Sequence, residues 1–374
     1  MEINKYFNEF LKNEKNGAFL LLGATIISLF ISNTPSGSAY INFWKIKIFE
    51  HSLLHWINDG LMVIFFLLIG LELKREIIEG ELSNLKKANL PIFAALGGML
   101  FPAFIYIFFN YGKETISGFG VPMATDIAFA IGILSLATKV PPALRIFLVA
   151  LAIIDDLGAI ILIAIFYSKD LSLLNLSISL GIFFFLILMG KFKIKSLPFY
   201  IISGIFMWYF ILNSGVHPTI SAVLLAFAIP FKGENSPSLK LEHHLQKPVA
   251  LLVLPIFALA NTSIPLTFNF KDLFLMPHSL GIFFGLFFGK PSGIFLFSYL
   301  SEKLKISQLP QNLLWKDVFS VGFLGGIGFT MAIFIALLGF NELNTVNTAK
   351  ISIMLASLFS GAAGLIFLNI LRRK

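Results

Sequence analysis

Four ionisable side chains stand inside stretches that are otherwise apolar: Asp126, the adjacent pair Asp155 and Asp156, and Lys290. In hydrocarbon each would cost at least about 2.5–3.5 kcal/mol at mid-depth, so each needs a reason to be there. A structural ion pair between Lys290 and one aspartate accounts for two of the charges. It leaves two carboxylates, for which the inexpensive outcomes are protonation or the binding of an ion. Carboxylate oxygens are hard ligands for Na+ or Li+ and acceptors for H+, and Thr125 adds a hydroxyl just before Asp126. Neighbouring positions on a helix point about 100° apart, so Asp155 and Asp156 do not share one partner equally. The chemistry expected is transient cation and proton binding at Asp156 and Asp155. No cofactor is called for, and the absence of Cys excludes thiolate metal sites and Cys nucleophiles.

Two glycine-rich segments must position these groups. One reads GFGVPMATDIAFAIG around Thr125 and Asp126; the other reads VGFLGGIGFTMAIFIALLG, with Gly325, Gly326 and Gly328 ahead of Thr330. Gly and Pro at this density interrupt a helix in lipid wherever the freed backbone lines a cavity or meets another segment. Glycines that simply allow close helix packing are the competing explanation. If both helices break and meet at mid-depth, each brings about half a positive charge at one end and half a negative charge at the other. Asp126 suits the positive ends and Lys290 the negative ends, which would leave Asp155 and Asp156 free for transport.

The whole composition places these residues in a bilayer. Of 374 residues, 57% are hydrophobic and 13% are charged, with a mean hydropathy of +0.86, whereas a soluble domain carries about a quarter charged residues. Twelve runs are long enough to cross: 18–32, 57–71, 91–109, 119–138, 144–167, 174–190, 197–212, 216–231, 248–265, 279–300, 318–340 and 348–371. The two glycine-rich runs are the fourth and the eleventh. An odd offset of seven makes them traverse in opposite directions, as in an inverted repeat. The fold predicted is an all-α membrane protein of twelve transmembrane helices, in one domain over residues 1–374, with no cleaved signal peptide. Of the 28 Lys and Arg, 21 fall on the side that holds both termini and six, Lys350 among them, on the other. That bias puts both termini in the cytoplasm and explains the net charge of +8 without nucleic acid.

These residues carry a resemblance. WINDGLMVIFFLLIGLELKRE (56–76), PMATDIAFAIG (122–132), RIFLVALAIIDDLGAIILIAIFY (145–167), SGVHPTISAV (214–223), LEHH (241–244), GKPSGI (289–294) and GGIGFTMAIFIA (325–336) closely resemble the NhaA family of bacterial sodium/proton antiporters. The resemblance implies twelve helices with crossed, interrupted fourth and eleventh segments in the inner membrane, exchanging internal Na+ or Li+ for external H+ in response to pH. It implies Asp156 as the central carboxylate, Asp155 as its neighbour that pairs with Lys290, and Asp126 with Thr125 at the crossing. It also implies a pH-sensing set of Glu72, Arg75, Glu76, Glu242 and His243, with His217 matching a further family position. His243 is of the type that changes charge near neutral pH, although charges at helix ends are commonly just solvated. Asp59 reads as an N-cap of the second helix. The histidine that other members carry three positions after the one matching His243 is Gln246 here. Residues 33–55 are shorter than in members that dimerise through a hairpin there, which leaves a homodimer open. An intramembrane aspartyl protease and a passive cation channel are the alternatives. The first lacks its Gly-x-Gly-Asp sequence, and the second has no need of internal pseudo-symmetry.

Overall fold

The computed structural model describes residues 14–371 apart from 139, 169, 234, 267–272 and 274; both termini, with Lys5, Lys12, Arg372, Arg373 and Lys374 of the charge count, lie outside the described residues, as do Lys139, Lys169 and Lys271. Backbone that cannot reach water must bond to itself, and here it does so as helix almost throughout. Among the described residues the one sheet is a minimal antiparallel hairpin, Lys47–Ile48 (β1) against His51–Ser52 (β2), turning through Phe49 at φ 56°.

In chain order the helices are α1 (Glu14–Ser32), α2 (Gly37–Phe43), α3 (Leu53–Trp56), α4 (Met62–Ile78), α5 (Leu85–Asn110), α6 (Ile127–Leu134), α7 (Pro142–Phe166), α8 (Leu173–Lys191), α9 (Leu197–Leu212), α10 (Thr219–Ala228), α11 (Pro237–Pro248), α12 (Leu254–Asn261), α13 (Pro277–Phe284), α14 (Lys290–Lys303), α15 (Trp315–Gly325), α16 (Phe329–Gly339) and α17 (Leu343–Leu371). Single π-type turns join α3 to α4, α11 to α12 and α13 to α14, so each of these pairs runs on as one helix. Six helical segments are long and apolar enough to cross a membrane, or eight when two bent pairs are each taken as one span. Three more apolar helices, including α9 and α10, are shorter. Asn213–Gly215 separates those two as its turn chemistry requires, with Gly215 at φ 83°.

Four expectations change. The second helix does not stop near residue 71: α4 continues to Ile78, so Glu72, Arg75 and Glu76 stand on its last turns. Asp59 is not an N-cap but sits within the π-type turn before α4, while Ser52 caps α3 by accepting the His55 N–H. Residues 237–247 are not loop: the Ser236 hydroxyl accepts the Leu239 N–H, Pro237 takes the first helical position, and α11 follows. Lys350 is not an exposed basic residue but is buried on α17.

Two close contacts hold the interior in register. Gly97 of α5 and Gly293 of α14 face each other so closely that a Cβ on either would strike the other's carbonyl oxygen. This seats Lys290, one turn before Gly293, against α5. At the end of α4, the Lys74 ammonium donates to the carbonyls of Ala226 (3.3 Å), Phe227 (2.8 Å) and Ile229. It thereby satisfies the final acceptors of α10 and lies on the negative end of that helix dipole. Lys74→Met should therefore lower stability by about 2 kcal/mol, seen as a lower unfolding midpoint of the purified protein, with Lys74→Arg closer to the parent. Equal midpoints for Met and the parent would remove the capping role.

Candidate ion-binding site

The two bent pairs break where the glycine-rich segments stand. A 3-10 stretch, Glu114–Met123, gives way to extended backbone at Ala124–Asp126 before α6 turns off at 42°; α15 and α16 are separated by Gly326–Gly328 and differ by 49°. The breaks meet. The Asp126 N–H donates to the Ile327 carbonyl at 2.6 Å. A Cβ on Gly328 would lie 3.1 Å from the Ala124 carbonyl oxygen, and one on Gly326 would strike the Leu286 carbonyl oxygen. Only glycine lets these backbones approach so closely.

Asp126 occupies the start of two half-helices at once. Its Oδ1 accepts the Phe129 N–H (3.0 Å) at the start of α6, and its Oδ2 accepts the Thr330 N–H (3.0 Å) and hydroxyl (2.5 Å) at the start of α16. A carboxylate there answers the two positive dipole ends, as the charge argument expects. Lys290 does not complete the symmetry by binding helix carbonyls. Its ammonium pairs with Asp155 Oδ2 and donates to Thr125 Oγ1 at 2.9 Å. The Thr125 hydroxyl in turn lies 2.6 Å from Asp155 Oδ2 and 2.8 Å from the Gly325 carbonyl, donating to one of them at a time. Lys290 thus reaches the end of α15 only through Thr125. Asp155 is tied to this knot and is not free in the way the sequence argument required.

Asp156 remains. Asp155 and Asp156 are 1% and 3% exposed, and Oδ1 of each is buried with no hydrogen-bond partner among the described residues. The charged groups that act on Asp156 are Asp155, Asp126, Glu72 and Lys290. Glu72 belongs to the cluster at the end of α4; at the breaks themselves the three aspartates, Asp126, Asp155 and Asp156, face one ammonium and two helix N-termini worth roughly half a charge each. One negative charge is left over, and a single monovalent cation or proton would neutralise it.

The six expected pH-responsive residues lie at two places. On the last turns of α4, Arg75 pairs with Glu242 of α11 at 3.0 Å and with Glu76 at 3.4 Å. Gln246 stands beside Glu72. Glu242 is buried, whereas His243 is exposed. Beside this cluster opens a cavity of about 550 Å³ that carries Glu76, Glu79, Glu81, Lys87 and Arg145. His217 lies at the other end of α4, whose 17 residues span about 25 Å. There its Nε2 is 3.7 Å from Asp59 Oδ1, and His55 Nε2 is 3.4 Å from Asp59 Oδ2, on a cavity of about 400 Å³. Sequence reasoning did not single out His55, Lys74, Lys350 or Asn261. The signal for Lys350 was present, since residue 350 already falls within the twelfth apolar run, 348–371, and the rule that questioned Lys290 applies to it there.

Comparison with known proteins places the chain in a family along nearly its whole length. The family model described as Na+/H+ antiporter 1 matches residues 8–368. The Na(+)/H(+) antiporter NhaA of Flavobacterium psychrophilum is 54% identical over 367 residues, covering 97% of this chain and 96% of that protein. The protein of the same name from Dechloromonas aromatica is 48% identical over 375 residues, covering 98% and 96%. Na(+)/H(+) antiporter NhaA 2 of Aliarcobacter butzleri is 44% identical over 391 residues, covering 98% and 97%.

The knot at Lys290 has a testable energetic consequence. Lys290→Ala strands Asp155 as a buried charge without its cation and should cost about 3–5 kcal/mol, read as a lower thermal midpoint; Lys290→Arg should cost less. An Ala variant with the parental midpoint would show that the pair contributes no net stability.

Proposed function

Because the chain belongs to the Na+/H+ antiporter 1 family, we propose that it exchanges Na+ for H+ across a membrane at Asp156. One observation carries this reading: the buried, unpartnered Oδ1 of Asp156 stands beside a second carboxylate whose only ammonium is already engaged. A carboxylate holds Na+ only when ionised, so cation and proton exclude one another at a single site. Binding of one on one side and release on arrival of the other gives obligatory exchange, with no covalent intermediate. Asp155 and Lys290 hold the site in place and take part in the proton cycle; Thr125, Asp126 and Thr330, with Gly325, Gly326 and Gly328, form the frame. Movement of one bundle against another about this frame presents Asp156 to either side in turn. Li+, with the same charge and oxygen preference, is a second substrate.

The topology that goes with this reading is twelve crossings in one domain, related as an inverted repeat whose interrupted helices cross at the paired breaks. Both termini face the cytoplasm of a bacterial inner membrane, which supplies the external protons that drive out internal Na+. On this orientation the Glu72 end of α4 faces inward and the His217 end outward. The protein is a transporter, not an enzyme. Asp126 and Asp155, which a protease would need free, are each tied to the frame by hydrogen bonds.

The cluster of Glu72, Arg75, Glu76, Glu242 and His243 sets the pH response on the inner side, with His217 on the outer. Its charges stand on α4 and α11, and Glu72 acts electrostatically on Asp156, so the cluster biases the environment of Asp156 from outside the path of exchange. The short hairpin at β1 and β2 makes a homodimer through that segment a weak association at best, since two residues per strand offer little pairing.

Two outcomes test the reading. Apparent Na+ affinity should weaken as pH falls, and Na+ binding should release protons in calorimetry run in two buffers of different ionisation enthalpy. Asp156→Asn should abolish both in a folded protein, whereas retained binding with proton release would move the site to Asp155 or Asp126. Separately, Glu242→Gln should shift the pH dependence of gradient dissipation in everted vesicles while exchange persists. Loss of exchange at every pH, with normal insertion, would place Glu242 in the ion path instead.

A further inference from the structure

A further lysine, besides Lys290 and Lys74, is buried among apolar helices, and the exchange described above makes no use of it. Lys350 of α17 is 5% exposed, and among the described residues no carboxylate lies within ion-pair distance of it. Its Nζ donates to Asn261 Oδ1 at 3.3 Å. Asn261 Nδ2 donates to Asn58 Oδ1 at 2.8 Å and to the Phe257 carbonyl at 3.1 Å. Asn58 stands on the wall of the outer cavity beside Asp59, His55 and His217. The row therefore runs from a buried cation to the surface of the outward passage.

The direction of this row follows from hydrogen-bond chemistry. An ammonium carries only donors, so it selects the oxygen end of Asn261. That turns the Asn261 NH2 toward Asn58 and selects the oxygen of Asn58 in turn, which leaves the Asn58 nitrogen for the cavity. Sodium is held by oxygen, not by N–H. We infer that Lys350 is a positioning residue for the outward passage: through Asn261 and Asn58 it keeps two carbonyl oxygens turned away from Asp59. A departing Na+ consequently meets one carboxylate there, not a carboxylate with amide oxygens around it, and outer-face affinity stays low enough for release.

This inference rests on the exchange reading, and the experiment separates the two. Apparent KM for Na+ is measured at each face, in right-side-out and everted vesicles. Unsubstituted protein that fails to couple Na+ to protons removes the exchange reading itself. With exchange intact, Lys350→Met should lower the outer-face KM by roughly threefold or more, leave the inner-face KM unchanged, and lose the effect in an Asn58→Ala background. Lys350→Arg should keep the parental asymmetry. Asn261→Asp offers Lys350 a charged partner, so it preserves packing, yet has no NH2 to hold Asn58; it should also lower the outer KM and serves where Lys350→Met fails to insert. Equal changes at both faces, no change in either variant, or an effect that persists in Asn58→Ala would overturn the assignment.

Discussion

A backbone group without a partner costs several kcal/mol where no water can reach it, and the centre of this molecule is arranged around that cost. Two helices stop inside the apolar interior, and each stop frees donors and acceptors. They are satisfied mutually: the Asp126 N–H meets the Ile327 carbonyl, the Thr330 N–H meets the Asp126 carboxylate, and the Gly325 carbonyl meets the Thr125 hydroxyl. Gly328 lets the second break come against the Ala124 carbonyl, and Gly326 lets it pass the Leu286 carbonyl, where a Cβ would crowd the first and strike the second.

The paired breaks also explain why four charges can be buried together. Asp126 is answered by the N-termini of α6 and α16, and Asp155 by Lys290. Those two settlements consume the available positive charge, and Asp156 is left with electrostatic neighbours but no cation of its own. A site with one uncompensated carboxylate is suited to a monovalent substrate. A second lysine in reach would have neutralised it, and a bare pair without Lys290 would have been too costly to keep.

The ends of α4 carry different chemistry. At one, Lys74 closes the end of α10 while Arg75 reaches to α11, so three helices are bound by charge at a single level. At the other, the π-type turn before α4 places Asn58 and Asp59 side by side on a cavity wall. Because consecutive positions there point in different directions, Asp59 meets the two histidines while Asn58 meets Asn261. A regular N-cap at Asp59 would have turned its carboxylate onto the helix start instead.

Charged residues inside apolar runs, two glycine-rich interruptions and an uneven distribution of Lys and Arg were legible in the chain itself, because each is a local departure from what hydrocarbon tolerates. They sufficed to name Asp126, Asp155, Asp156 and Lys290 and to place breaks near Thr125 and Gly326. Which carboxylate Lys290 would take was not legible in the residues themselves and came only through the family resemblance, since residues 135 positions apart are brought together only by the packing of α5, α7 and α14. The same holds for Lys74 on the end of α10, Arg75 on Glu242, and Lys350 behind Asn261 and Asn58. Helix periodicity says which side chains share a face, but a hydrogen bond has a range of about 3 Å, and only the tertiary structure decides which faces come that close.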